Sequence, residues 1–532
     1  MSGDNQIKRI VTGVNTVKNT EAVETSDRSS GKISSSQPLS PSLDETVALF
    51  RRIFSNDGTL RVRIIENTHN TRIRCGLIYV DGMTDRDLIQ NGITKPLMTY
   101  EFLDKDLGTP AELMELIRLR IINISDIMVS TDLDELVGAI VGGKTVFLLD
   151  GYAGALNINA QGWQTRAIEE PTTDKAVRGP REGFNESLMT NLTLIRRRVQ
   201  NSDLKFVFTD IGTRSKTQAC ICYMESLASP DILKELHGRL ARVQLDHLLD
   251  TGYLAELIRD EPYSPFEMIG STERPDSVVS KIMEGRIALL IEGSPFALTL
   301  PYVFVENFQA SEDYYIGYMF ATFNRVLRVM GAFMSISIPA LYVALVTYSQ
   351  EMVPTLLLLS IATARLSVPF PTVVEAILML TIFEILREAG ARIPNSIGQA
   401  VSIVGALVLG QAAVDARIVS APMVIVVGLT GITTLLNPRL TGPLIVVRIL
   451  LLLMSFFFGI YGYFFGLLGL VIHLMSLRSF GVPYMLGVGS IRPQDIKDTA
   501  IRAPWWDMYL RPAIIGARNM KRKPPKKPVK RL

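Results

Sequence analysis

Val329-Met-Gly-Ala-Phe-Met-Ser-Ile-Ser-Ile-Pro-Ala-Leu-Tyr-Val-Ala-Leu-Val-Thr347 contains no charged side chain. Its length meets the roughly 20 apolar residues that a helix needs to cross a bilayer. It opens a series of apolar segments that continues to Met475, behind a long region of mixed charge and short apolar runs. The chain therefore reads as part water-facing apparatus and part membrane device.

Arg325 and Arg328 mark the near edge of that first segment. The chain ends in a basic tail that includes Arg511, Arg518, Lys521, Arg522 and Lys523. Basic flanks favour the cytoplasmic side, so both ends of the membrane region are expected there, which requires an even number of crossings. The 532 residues exceed what one hydrophobic core organises, and 48% hydrophobic content beside 20% charged residues averages two regimes. A net charge of +3, concentrated in the tail, is too small to imply a nucleic-acid partner, so none is expected, and the tail suits anionic membrane lipids.

The division expected is a disordered polar extension over 1–42, an α/β subdomain over 43–165, a charged linker over 166–186 and a second α/β subdomain over 187–310. A multispanning membrane domain over 326–476 and a basic cytoplasmic tail over 477–532 complete it. The fold class is thus an α/β two-subdomain cytoplasmic N-terminal region plus an α-helical polytopic membrane domain. Residues 1–42 are Ser-rich without the apolar core of a secretory signal, and three cysteines fit a reducing compartment without a disulfide framework.

The two subdomains are read from a weak duplication. Cys75-Gly-Leu-Ile-Tyr-Val-Asp81 leads to Gly143-Lys-Thr-Val-Phe-Leu-Leu-Asp-Gly151 and Ala155-Leu156. Cys220-Ile-Cys-Tyr-Met-Glu225 leads to Gly285-Arg-Ile-Ala-Leu-Leu-Ile-Glu-Gly293 and Ala297-Leu298 at an almost constant offset. Short buried strands bounded by Gly and acidic residues alternate with helices, such as one expected over Asp231 to Leu249. Gly138-Ala-Ile-Val-Gly-Gly143-Lys144-Thr145 fits a phosphate-loop pattern by letters. Such a loop works only after a strand and before a helix, and here a helix ending at Gly142-Gly143 precedes a strand.

Within the membrane region, Val353 to Leu366 is short, starts at Pro354 and stops at Pro369-Phe370-Pro371, as a re-entrant half-helix would. Thr372 to Leu386 and Ala421 to Leu436 read as spans. Leu444 to Met475 is too long for one untilted helix, and Gly459, Gly462 and Gly466 allow a hairpin, against a single projecting helix. Four to six crossings follow. Gly398, Ser402, Ala406 and Gly410 place small side chains on one helix face, for packing within a subunit or between subunits. Charges in apolar segments cost at least ~2.5 kcal/mol each unless partnered. Glu384 is assigned to structural pairing with Arg387, and Arg448 to pairing between helices or to snorkelling toward the interface rather than to a gate. Glu375 has no basic residue within a helical turn and is the candidate for a water-filled ion path.

The linker Glu169-Glu170-Pro-Thr-Thr-Asp174-Lys175-Ala-Val-Arg178-Gly-Pro-Arg181-Glu-Gly-Phe184 mixes both charge signs with turn formers. It is a solvated hinge or a subunit-docking loop, with Glu169, Glu170, Asp174, Lys175, Arg178 and Arg181 as the docking residues. This linker, Pro369-Phe-Pro371-Thr-Val-Val-Glu375-Ala and Glu388-Ala-Gly-Ala-Arg392-Ile-Pro394-Asn-Ser-Ile-Gly398-Gln together resemble the A subunits of GerA-type spore germinant receptors. The resemblance implies a multi-pass protein of the spore inner membrane, with B and C subunits as partners. It also implies a homo-oligomer that forms a nutrient-gated ion channel and triggers germination. A branch of the same resemblance is the A-like protein of the dipicolinate-channel operon.

Catalysis finds little support. His69, His237, His247 and His473 are not at metal-ligand spacing, and no Ser or Cys stands in a nucleophile motif. The expectation is no enzyme, no cofactor and no metal. A secondary transporter or nucleotide-using membrane enzyme is the alternative, motivated by the membrane acids and the phosphate-loop letters.

Overall fold

The computed structural model describes residues 39–103, 108–163, 170–171, 178–392, 405, 408–488, 498–499, 501–508 and 511. Two five-stranded sheets organise the first part. The first contains β1 (Leu60–Glu66), β2 (Arg74–Val80), β3 (Ile127–Ser130), β4 (Thr145–Leu149) and β5 (Ala155–Ile158), in the order β1-β2-β4-β5-β3. The second contains β6 (Leu204–Ile211), β7 (Thr217–Met224), β8 (Gly270–Thr272), β9 (Ile287–Ile291) and β10 (Ala297–Leu300), in the equivalent order β6-β7-β9-β10-β8. Every pairing is antiparallel.

Both faces of each sheet are covered, which is why the central strands read as nearly continuous apolar runs. In β7, Ala219, Ile221 and Tyr223 face a core shared with the helices Pro230–Leu240 and Thr251–Ile258. Cys220, Cys222 and Met224 face the helices Leu188–Arg198 and Pro275–Ile282. The side chains thus alternate with the two-residue period of a strand. In the first half, Cys75 and Leu77 pack with Ile89, Ile93 and Ile117, while Ile78 and Val80 pack with Val47 and Phe50 of the Leu43–Ile53 helix and with Leu136.

The duplication extends to turns and caps. Gly143 and Gly285 adopt φ of +90° and +94°, and Gly151 and Gly293 adopt +87° and +89°, a region that favours glycine. Leu43 N–H donates to Asp150 Oδ1 at 3.0 Å, as Leu188 N–H donates to Glu292 Oε2 at 2.8 Å. Strand register corrects the sequence alignment by one residue. Cys75 lies opposite Leu149 of β4 as Ala219, not Cys220, lies opposite Ile291 of β9, so Tyr79 matches Tyr223.

Two further differences have local causes, while the phosphate-loop letters fall as expected. The expected helix from Asp231 to Leu249 is two, Pro230–Leu240 and Thr251–Ile258. The carbonyls of Leu245 and Asp246 between them accept hydrogen bonds from Thr213, Arg214 and Ser215, which pulls the chain out of helix. Leu39 is buried and Pro41 O accepts from Gly151 N–H, so Leu39 to Ser42 belong to the first half and not to a polar extension. The phosphate-loop letters occupy the order helix Leu133–Val141, turn at Gly142-Gly143, strand β4.

The second part is helical: Tyr318–Thr347, Thr355–Arg365, Thr372–Arg392, a stretch at 408–415, Ala421–Leu435 and Thr441–Ser476. Tyr318–Thr347 and Pro438–Ser476 are long and apolar enough to cross a membrane. Thr441–Ser476 reverses at Gly459, whose φ of +60° and ψ of −141° are not helical. Gly462 lies against the carbonyl of Met454, and Gly466 against the Leu451 side chain. A straight helix would carry Gly462 about 12 Å along from Met454, so the chain is a hairpin with legs 441–458 and 460–476.

Asn437 Nδ2 donates to Arg328 O at 2.8 Å near the start of the first long helix, and Tyr348 Oη donates to Phe456 O at 2.5 Å beyond its end. After Ser476 the chain returns to the second α/β half. Phe480 N–H donates to Asp260 Oδ2 at 2.8 Å and Ser479 Oγ to Met268 O at 2.7 Å. The helical part therefore begins and ends against the same half.

Candidate functional site

The Arg448 side chain lies among apolar residues of the first hairpin leg, only 2% exposed. A guanidinium removed from water needs its donors satisfied, and three other helices supply acceptors. Nε donates to Ser335 O at 2.9 Å, Nη2 to Thr434 Oγ1 at 2.6 Å and Nη1 to Glu384 Oε1 at 3.2 Å. Glu384 Oε2 accepts from Arg387 Nε at 2.6 Å. The three residues assigned to pairing thus meet in one cluster, joined by Ser335 and Thr434, which sequence reasoning missed.

Glu375 is fully buried, and it is not alone. Arg365, at the end of the Thr355–Arg365 half-helix, places Nε 3.4 Å from Glu375 Oε1. Glu375 Oε2 accepts from Ser420 N–H at 2.9 Å and from Ser420 Oγ at 2.8 Å. The expectation of an unpartnered carboxylate is corrected: the Pro369-Phe370-Pro371 turn folds the half-helix back, so the counter-charge comes from the preceding element. Tyr342 lies in the same region, with its buried hydroxyl beside Ser420.

Gly410 is buried, and a Cβ there would meet Val424 Cγ1 at 3.3 Å. That end of the small-residue face packs within the subunit. Gly398, Ser402 and Ala406 lie outside the described residues. In the linker, Arg181 Nε is 4.0 Å from Glu170 Oε1 on the surface, and Arg178 is exposed. Glu169, Asp174 and Lys175 lie outside the described residues. A gap of 4.0 Å between exposed groups gives a weak tie.

A second buried cluster joins the α/β and helical parts. Asp313 accepts from Arg325 Nε at 2.8 Å and from Arg328 Nη2 at 2.5 Å. Arg325 Nη1 also donates to Asp498 Oδ1 at 2.7 Å, and Tyr314 Oη donates to Asp498 Oδ2 at 2.6 Å. Burial pushes the Asp313 carboxyl upward, but hydrogen bonds from Arg328 and Arg325 outweigh it and hold the group below its ordinary value. Asp498 is displaced upward, because its burial outweighs Arg325. Deeper in the second half, Glu306 pairs with Arg286 and, at 2.9 Å, with Lys281. Burial raises Glu306, yet the two cations bring it below its usual range. The arginines at 325 and 328 were visible in sequence as flanks; the carboxylates that receive them carry no local signal.

Among the described residues, no group of three or more His, Cys, Asp and Glu is placed to hold a metal ion. The arrangement is one of charge pairs that fasten elements to each other.

Residues 48–514 match the Bacillus/Clostridium GerA spore germination protein family. The chain is 39% identical to the uncharacterized membrane protein YfkQ of Bacillus subtilis, covering 92% of this chain and 95% of that protein. It is 38% identical to spore germination protein KA of Bacillus subtilis, over 90% of this chain and 87% of the relative. Spore germination protein GerLA of Bacillus cereus is 37% identical over 87% of this chain and 93% of its own length. The N-terminal domain of the A subunit of the Bacillus megaterium germinant receptor GerK3 is similar at 27% identity and a TM-score of 0.40, covering 50% of this chain and 98% of that one.

Proposed function

This chain belongs to the Bacillus/Clostridium GerA spore germination protein family, and we propose that it is the A subunit of a nutrient germinant receptor that assembles with B and C subunits and with further copies of itself to gate ions across the spore inner membrane. The observation that carries this reading is the pair of buried charge clusters, Arg448 with Glu384 and Arg365 with Glu375, inside an otherwise apolar helical part. Groups of that cost persist inside a membrane where they fasten helices or line a polar path.

The helical part crosses the bilayer an even number of times, four to six, and Tyr318–Thr347, Thr372–Arg392 and the two legs of the hairpin are among the crossings, with Ala421–Leu435 as a further apolar helix. Thr355–Arg365 enters and returns from the far side. An even count agrees with the return of Ser479 and Phe480 to the α/β half, which together with the basic tail stays cytoplasmic. The Arg448–Glu384–Arg387 cluster is structural. Glu375 is the ion-path residue, and Arg365 is its counter-charge when the path is closed. Movement of the half-helix removes that charge and leaves a carboxylate for a cation.

The test is reconstitution of the purified chain in liposomes, alone and with B and C subunits, followed by nutrient-dependent ion flux. Nutrient-dependent flux in the complete complex supports the reading. Transport that depends on ATP and disappears in Lys144→Ala would move the assignment to a nucleotide-using membrane enzyme.

A further inference from the structure

We propose that neighbouring copies of this chain join head to tail through open faces of their α/β halves, in a contact that repeats between copies the one joining the two halves within a copy. The proposal deepens the reading that the chain assembles with itself and rests on it.

The contact within a copy is well defined. On the second half it uses the Leu188–Arg198 helix and β6. Arg196 Nη2 donates to Asp57 Oδ2 at 2.6 Å, with both side chains essentially inaccessible to water. Arg197 lies over the Trp163 ring at 5.1 Å. Thr193 Oγ1 donates to Gly82 O at 3.2 Å, and Gly58 N–H donates to Phe206 O at 2.8 Å beside Phe208. The first half contributes turns at 57–59 and 81–82. The two surfaces differ, so the contact is not self-complementary, and a contact of that kind leaves one copy of each surface free to be used again.

Because the halves share one topology, each possesses both surfaces. The core faces of the two equivalent helices superpose Leu43, Val47 and Phe50 on Leu188, Leu192 and Ile195. That correspondence puts Ala48, Arg51 and Arg52 of the first half where the second has Thr193, Arg196 and Arg197. All three are exposed, and the side chains of Arg51 and Arg52 make no hydrogen bond or ion pair among the described residues. By the β1/β6 register, Ile64 takes the place of Phe208, and it is 42% exposed.

The other surface is open on the second half. The β2/β7 register puts Ser226 where the first half has Gly82, and Ser226 is exposed. Asp203, whose carboxylate accepts from Ser226 N–H at 3.0 Å, flanks it, as does the half-exposed Glu225, which lies 3.4 Å from the buried Lys205 Nζ. Asp231 is exposed just beyond. The free surface of the first half is therefore basic around an apolar residue, and that of the second is acidic. Opposite charge on two surfaces whose counterparts already fit each other favours a second copy of this chain as the occupant. Helical parts that share one membrane plane convert such a contact into a closed ring rather than a filament.

The experiment is disulfide cross-linking of the full chain in membranes, with Ala48→Cys and Ser226→Cys combined, the counterparts of the Thr193–Gly82 contact. The native cysteines 75, 220 and 222 are buried and do not interfere. Mild oxidation is expected to give a ladder of covalent multimers from the double variant and monomers from each single variant. Adding Arg51→Glu and Arg52→Glu should abolish the ladder without lowering the melting temperature, since both side chains are exposed. A wild type that is oligomeric by mass, with no ladder from the double variant, overturns this interface and leaves assembly intact. A wild type that is monomeric by mass at every concentration overturns both.

Discussion

Arg325, on the first turns of the first long apolar helix, donates to Asp498, beyond the last one, at 2.7 Å. The two residues tie the entry of the helical part to its exit, and Asp313 on the α/β side completes the tie through Arg325 and Arg328. A displacement of the first helix has to move the α/β half with it or break this cluster.

Arg325→Ala should cost about 3–5 kcal/mol, the usual penalty for removing one partner of a buried ion pair, because Asp313 and Asp498 lose a shared donor. Thermal unfolding of the solubilised protein measures it, and limited proteolysis after Ser476 should become faster. An unchanged melting temperature would show that Arg328 alone holds the junction.

Stability should fall in acid. Glu306 and Asp313 sit below their ordinary values of 4.5 and 3.8, so near those values they bind fewer protons folded than unfolded. Their contribution is full above pH 4.5 and is lost as the pH falls through the folded values. Asp498 is displaced upward and works in the opposite sense, its contribution fading as the pH rises through its folded value. The melting temperature followed downward from about pH 6 should drop, and Glu306→Gln should start lower and drop less. A parallel decline in both proteins would remove Glu306 from this account.

Gly459→Ala should destabilise the hairpin by about 1–3 kcal/mol, since a non-glycine residue is strained at that backbone conformation. A Cβ there would also meet Tyr348 at 3.1 Å. Membrane abundance and melting temperature report the loss. A wild-type melting temperature would argue for a continuous helix.

Charge reversal at Glu170 together with Arg178 should impair germination at unchanged membrane level if the linker docks on a neighbour. Normal germination at normal abundance would leave it a hinge.

What the sequence reveals follows from how local the signal is. The apolar helices, the short helix bounded by prolines and the individual strands each depend on residues close in the chain, and these were legible. The hairpin was legible only as an alternative, because glycine permits the reversal at Gly459 without requiring it. The Glu384–Arg387 pair is one helical turn apart and could be read. Arg365 and Glu375 could not, because their approach depends on a fold-back across three residues with two prolines. Asp57 and Arg196 meet only through the docking of two complete halves, and no periodicity announces that contact.

The most direct measurement is nutrient-dependent ion flux per assembled complex, in liposomes that hold the full receptor, for the wild type, Glu375→Gln and Glu384→Gln. The account predicts nutrient-dependent flux in the wild type and reduced flux per complex in Glu375→Gln. Glu384→Gln should lower the amount of complex while keeping the flux of each one. No flux above protein-free liposomes, or undiminished flux per complex in Glu375→Gln, would contradict it.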